Sequence, residues 1–139
     1  MIRPATYSIQ QTFDERDVKY RVCEIGDSSV VEAGFAIDNG PNVIVRFISR
    51  DDDNDVAVRV FQLLKVSDDK RDSILAAINR LNCKFRYLKF TMNEDGSVHA
   101  ENDLYLCTEN VGEACFEMFA RCMPILREAY PILMRTLLE

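Results

Sequence analysis

Residues 67–106 read SDDKRDSILAAINRLNCKFRYLKFTMNEDGSVHAENDLYL, a helix that feeds directly into a tight β-hairpin. Ser67-Asp68-Asp69 has the form of a helix start. A side-chain oxygen there caps free amides, and two carboxylates sit at the positive end of the dipole. Ile74, Leu75, Ile78 and Leu81 recur at helical spacing, and Asn82 is expected to end the element. Residues 85–90 then give one strand, Asn93-Glu94-Asp95-Gly96 the turn, and residues 98–106 the returning strand. Asp-Gly between alternating runs is a strong hairpin signal, because glycine supplies the positive φ that the turn needs. The stretch fixes architecture and names no reaction.

On its N-terminal side, residues 4–17 predict a short helix with Ile9 and Phe13 on one face. The period then changes. Val18-Lys19-Tyr20-Arg21-Val22 alternates as a half-buried strand does, and Gly26-Asp27 turns the chain into a second strand over 30–37. Val31, Ala33, Phe35 and Ile37 share one face of it. After the turn Asp38-Asn39-Gly40-Pro41, a third strand over 43–50 puts Val43, Val45 and Phe47 on one side and Arg46 and Arg50 on the other. Asp51-Asp52-Asp53-Asn54-Asp55 reads as a loop. Residues 61–66 admit a helical reading, but the alternation of Val56, Val58 and Val60 favours strand.

On its C-terminal side, Asn110-x-x-Glu113 has the spacing of a capping box opening a long helix. Glu113, Glu117, Arg121, Glu128 and Arg135 form one narrow polar stripe, and apart from Arg127 nearly everything else is apolar. Pro124 and Pro131 each delete a donor and crowd a carbonyl, which predicts a kink or break. One sheet face covers an apolar stripe of about 100°, and this arc is wider. The excess predicts a second copy of the chain against it, two-fold dimers being the commonest oligomers. For capture of a partner peptide on the same helix, Phe116, Phe119, Met123, Leu126 and Tyr130 are the binding candidates, with residues 51–55 as an acidic rim.

A chain of 139 residues is one domain, 1–139, able to bury about two-thirds of its unfolded surface. Its 47% apolar and 29% charged content is that of a soluble globular protein. The most apolar stretch is interrupted by Arg121, Arg127, Glu128 and two prolines, so no membrane span is expected. Met1-Ile2-Arg3-Pro4 lacks the apolar core of a secretory signal, which makes the cytoplasm the expected compartment. A net charge of −6 argues against nucleic acid and anionic membranes as partners. Cys23, Cys83, Cys107, Cys115 and Cys122 are odd in number and contain no Cys-x-x-Cys pair, and read as reduced thiols.

No constellation of reactive groups emerges. His99 is out of phase with Val98 and Ala100, so it is expected to face solvent beside Glu101 and Asp103, without the nucleophile that catalysis would need. Asp51, Asp53 and Asp55 begin like a calcium loop, but Val56 stands where glycine belongs and Gln62 where a bidentate glutamate belongs. Phosphate-cradling and nucleophile-elbow motifs are absent. The sequence therefore assigns no catalytic residue, no metal ligand and no cofactor, and the chain is not expected to be an enzyme. Phe35, Phe47, Phe61, Phe85, Phe90, Phe116 and Phe119 read as core, with Tyr87 or Tyr105 at an edge.

The helix ending Ile78-Asn79-Arg80-Leu81-Asn82, the strand ending Lys89-Phe90, the acidic glycine turn and the Tyr130-Pro131 step together resemble the YbjN family. The resemblance covers residues 10–135 and implies a bacterial sensory-transduction regulator. That domain in turn looks like the type III secretion chaperones, small acidic dimers that hold extended client segments on hydrophobic patches. The first helix here is shorter than theirs. The expected fold is α+β: a curved antiparallel β-sheet with helices packed on one face, in the order α-β-β-β-β-α-β-β-α. The expected function is a non-enzymatic cytoplasmic regulator or chaperone-like protein-binding module, acting as a homodimer. A small-molecule sensor, with its ligand between sheet and helices, is the alternative.

Overall fold

The computed structural model describes residues 1–50, 55–105 and 110–139. Helix α1 (Pro4–Glu15) is followed by strands β1 (Arg21–Ile25), β2 (Ser28–Ala36), β3 (Asn42–Ser49) and β4 (Asp55–Lys65). Helix α2 (Arg71–Lys84), strands β5 (Lys89–Met92) and β6 (Ser97–Tyr105), and helix α3 (Val111–Leu138) complete the chain. The strands form one antiparallel sheet in the order β1-β2-β3-β4-β6-β5. The α+β order expected from the sequence is the order observed.

The hairpin forms as its residues dictate. Asn93 N–H donates to the Ser97 carbonyl at 2.9 Å, and Gly96 sits at φ +87°. An added Cβ at Gly96 would also collide with the Val66 carbonyl, so only glycine fits there. The Asp95 carboxylate accepts from Ser97 N–H at 2.9 Å and Ser97 Oγ at 3.1 Å, and those bonds hold its pKa below the usual carboxylate range.

Helix α2 departs from expectation at both ends. Ser67 does not cap it: its hydroxyl donates to the Asp69 carboxylate at 2.6 Å, and a 3-10 turn (Asp68–Lys70) leads into the helix. Nor does Asn82 end it. The helix runs on to Lys84, residues 85–88 connect it to β5, and Asn82 instead reaches that edge strand. Its Oδ1 accepts from Phe90 N–H at 2.8 Å, and its Nδ2 donates to the Phe90 carbonyl at 3.0 Å. Asn82→Ala should cost about 2 kcal/mol, because two strand groups lose their partner at once. Urea unfolding measures it, and a loss under about 0.5 kcal/mol would contradict the bridging role.

Strand β1 starts later than its alternation suggests. Val18 N–H donates to the Phe13 carbonyl at 2.9 Å, so residues 18–20 are used in leaving α1. Strand β4 extends through the ambiguous segment, with a register shift between Val60 and Leu64 and Gln62 at φ +54°. Asn110 Oδ1 accepts from Glu113 N–H at 3.2 Å, as the capping pattern requires. Helix α3 continues through Pro124 and Pro131, so of the expected kink or break the break does not occur. Both prolines lie on its exposed side, where a lost donor faces water rather than core.

The core lies between one sheet face and the three helices. Ile9, Phe13, Ile74, Leu126 and Leu133 meet Val31, Val45, Phe47, Val58, Phe90 and Ala100, all of them buried. Helix α3 packs against α1 on one flank and α2 on the other. Its wide apolar arc is therefore covered from within the subunit by three surfaces, and its charged stripe faces outward. Helices α1 and α2 thus cover part of the excess area, while Phe116, Met123, Tyr130, Ile132 and Leu137 stay half-buried and Leu138 is exposed.

Candidate functional site: the uncovered face of the sheet

No described element lies over the second face of the sheet. The pleat alternation that sends Val31, Val45, Phe47 and Val58 inward sends their neighbours to this side. Register then aligns them. Arg21 pairs with Glu32, Glu32 with Arg46, Arg46 with Arg59, Arg59 with Glu101, and Glu101 with Lys89. Register thus lines up one charged residue from each of the six strands, although at the β5 edge the Lys89 ammonium turns away to the Asn82 and Phe85 carbonyls at the end of α2, at 2.7 and 2.6 Å.

Ion pairs stitch the row together. Glu32, only 9% exposed, accepts from Arg21 and Arg46 at 3.1 Å each. Arg59 reaches Asp103 at 2.9 Å and Glu101 at 3.6 Å, which offsets its repulsion from Arg46. The row is bounded on one side by Cys23, Val30, Ile48 and Ala57. On the other side stand Ile44, 37% exposed, and Phe61, 45% exposed, with Arg46 5.7 Å above the Phe61 ring. Ile25 and Tyr105 are exposed at the periphery. Phe61, expected in the core, is thus on the open face. Burial first and then the Glu32 carboxylate raise the Cys23 thiol pKa, which keeps it protonated.

His99 belongs to the same face, though not as a freely solvated ring. Its Nδ1 accepts from Gln62 N–H at 2.8 Å, its Nε2 lies 2.8 Å from Asn93 Nδ2, and Phe61 meets it edge-on at 5.6 Å. The ring steadies the irregularity of β4, where Gln62 takes a left-handed conformation. Among the described residues no group of three His, Cys, Asp or Glu side chains is placed to hold a metal ion.

The partner-binding candidates on α3 are distributed differently. Phe119 and Leu126 are core residues, 5% and 0% exposed. Phe116 is half-buried beside Phe13, beneath Arg16 at 4.6 Å from its ring. Met123 and Tyr130 are half-buried against the core. The structure therefore joins all five to the subunit's own interior and leaves only edges of Phe116, Met123 and Tyr130 outward. Of the acidic rim and the calcium-like run, Asp51, Asp52, Asp53 and Asn54 lie outside the described residues, as do Leu106 and Cys107.

The remaining thiols divide by burial. Cys115 and Cys122 face the core, and loss of solvation pushes both up to about 12. Cys83 is exposed. A thiol-specific reagent at pH 8 should label Cys83 quickly and reach Cys115 and Cys122 only on unfolding; fast labelling of either would contradict the packing. A thiol pKa raised by folding is stabilising below the unfolded value and loses that advantage as pH climbs. Stability should therefore fall between the unfolded value of 9 and about 12 as these two thiols ionise only in the unfolded chain.

Together these features define a small α+β domain with helices on one side of an open sheet and a charged, partly apolar face on the other. A family model described as YbjN, "putative bacterial sensory transduction regulator", matches residues 8–124, and the chain belongs to that family. The fold is similar to the crystal structure of YbjN from E. coli, described as "a putative transcription regulator", with a TM-score of 0.50 and 13% identity over 99% of this chain and 91% of that one. No match is found among curated proteins.

Proposed function

We propose that this chain is a cytoplasmic, non-catalytic regulatory module that works by docking another protein on the uncovered sheet face. The carrying observation is that face itself: exposed Ile44 and Phe61 beside the charged row Arg21, Glu32, Arg46, Arg59 and Glu101. Contiguous apolar area rimmed by charge marks contact surfaces. Net charge over the whole chain is −6, which opposes direct DNA binding and favours regulation through protein contact.

The occupant we propose is a different protein, offering an apolar centre to Ile44 and Phe61 with polar groups that meet the partly exposed arginines beside them.

The test compares two variants in native cells: Ile44→Glu with Phe61→Glu on the sheet face, and Leu75→Glu on the exposed side of α2. The first should lose the partner that co-purifies with the parent chain, and the second should keep it. Retention by a folded sheet-face variant would overturn the proposal.

A further inference from the structure

On the helix side of the molecule, away from the sheet face, a cleft of about 240 Å³ opens between the α2–β5 connection and the middle of α3. Phe85, Pro124 and Ile125 make it apolar; Lys84, Arg86 and Arg121 place three cations around it. That density of positive charge is unusual in a chain of net charge −6.

The cations are not equivalent. Lys84 is engaged by Glu128, whereas among the described residues neither Arg86 nor Arg121 pairs with a carboxylate. The Arg121 guanidinium lies over the Tyr87 ring, 4.4 Å from its centroid. Stacking holds a guanidinium by its face and leaves the in-plane N–H donors available, the geometry that receives a carboxylate through two parallel bonds. The arrangement is a positioned anion receptor beside an apolar floor.

We propose that this cleft binds a small organic monoanion, a carboxylate carried on a single aromatic ring. The carboxylate sits on the Arg121 fork with Arg86 beside it, and the ring lies against Phe85 and Ile125. A cleft of about 240 Å³, open to solvent on one side, has room for a single ring. The site is independent of the sheet face, so its failure would leave the protein-docking proposal standing.

Amide chemical shifts of the isotope-labelled full chain test it, with benzoate and phenylacetate as probes. Benzyl alcohol removes the charge, and acetate removes the ring. The carboxylates should give saturable shifts confined to residues 84–87 and 121–125, and both controls should bind at least about tenfold more weakly. Arg121→Gln should weaken benzoate by about tenfold or more. Glu128→Gln, which releases Lys84, should tighten it severalfold; this is a gain that damaged folding could not imitate. No saturable shift with either carboxylate up to about 20 mM, equal binding of benzyl alcohol, or an Arg121→Gln variant that binds benzoate unchanged would overturn the proposal.

Discussion

Phe13→Ala is expected to remove about 3–5 kcal/mol of stability. Phe13 is fully buried, and its ring meets Phe47 at 5.6 Å, Phe119 at 6.0 Å, Tyr20 at 6.1 Å and Phe116 at 6.5 Å. One side chain thus joins α1 to β3 and to α3, so its removal opens a cavity where three layers meet. Domains hold only about 5–15 kcal/mol in total, so the loss is a large share. Calorimetry should show the midpoint falling by about 10 °C or more, at roughly 3 °C per kcal/mol for a chain of this size. A loss under about 1 kcal/mol would mean that the site collapses easily and that α1 is not seated as described.

Gly112→Ala should destabilise by about 2–3 kcal/mol, through overpacking. The sign is the informative part. In an open helix the same change gains about 1 kcal/mol, because alanine is the better helix former. Here the added methyl collides with Thr12 Oγ1 and lies 2.9 Å from Thr12 Cβ, with the Ser8 carbonyl also in the way. Helix α1 must then move off α3, straining the Arg16–Glu113 pair, whose two contacts are 2.8 Å each. Urea unfolding with an unchanged m-value checks it. A stabilised variant would show that the two helices do not approach closely at Gly112.

Both predictions depend on contacts between elements far apart in the chain, and that is where sequence reading met its boundary. The Asp95-Gly96 turn, the Asn110 cap and the Ile9–Phe13 face were legible because each is decided within a few residues. Ser67 and Asn82 have the right chemistry for capping and stopping a helix, but other partners claimed them: the nearby Asp69 carboxylate for one and the Phe90 backbone of the adjoining strand for the other. The width of the apolar arc of α3 is plain from its spacing. What covers it depends on α1 and α2 lying on either flank, and no local spacing encodes that.

The sheet face shows the same division more sharply. Arg46 and Lys89 fall out of phase with the buried residues of their strands, which the alternation makes visible, whereas Glu32, Arg59 and Glu101 share their phase with the buried Val30, Ala57 and Ser97. Their alignment into a single row does not follow from any one strand. It needs five registers at once, and a one-residue slip in any of them would send a charge into the core. Phe61 stands on the open face next to the shifted register of β4, an irregularity that no alternation announces.

Site-specific photo-crosslinking in native cells tests the protein-docking account most directly. A photoreactive phenylalanine at position 61 or 44 should give a covalent adduct with a different protein, while the same residue at position 75 on α2 should give none. Adducts from position 75 alone, or an adduct of twice the chain's 16.0 kDa from position 61, would contradict it.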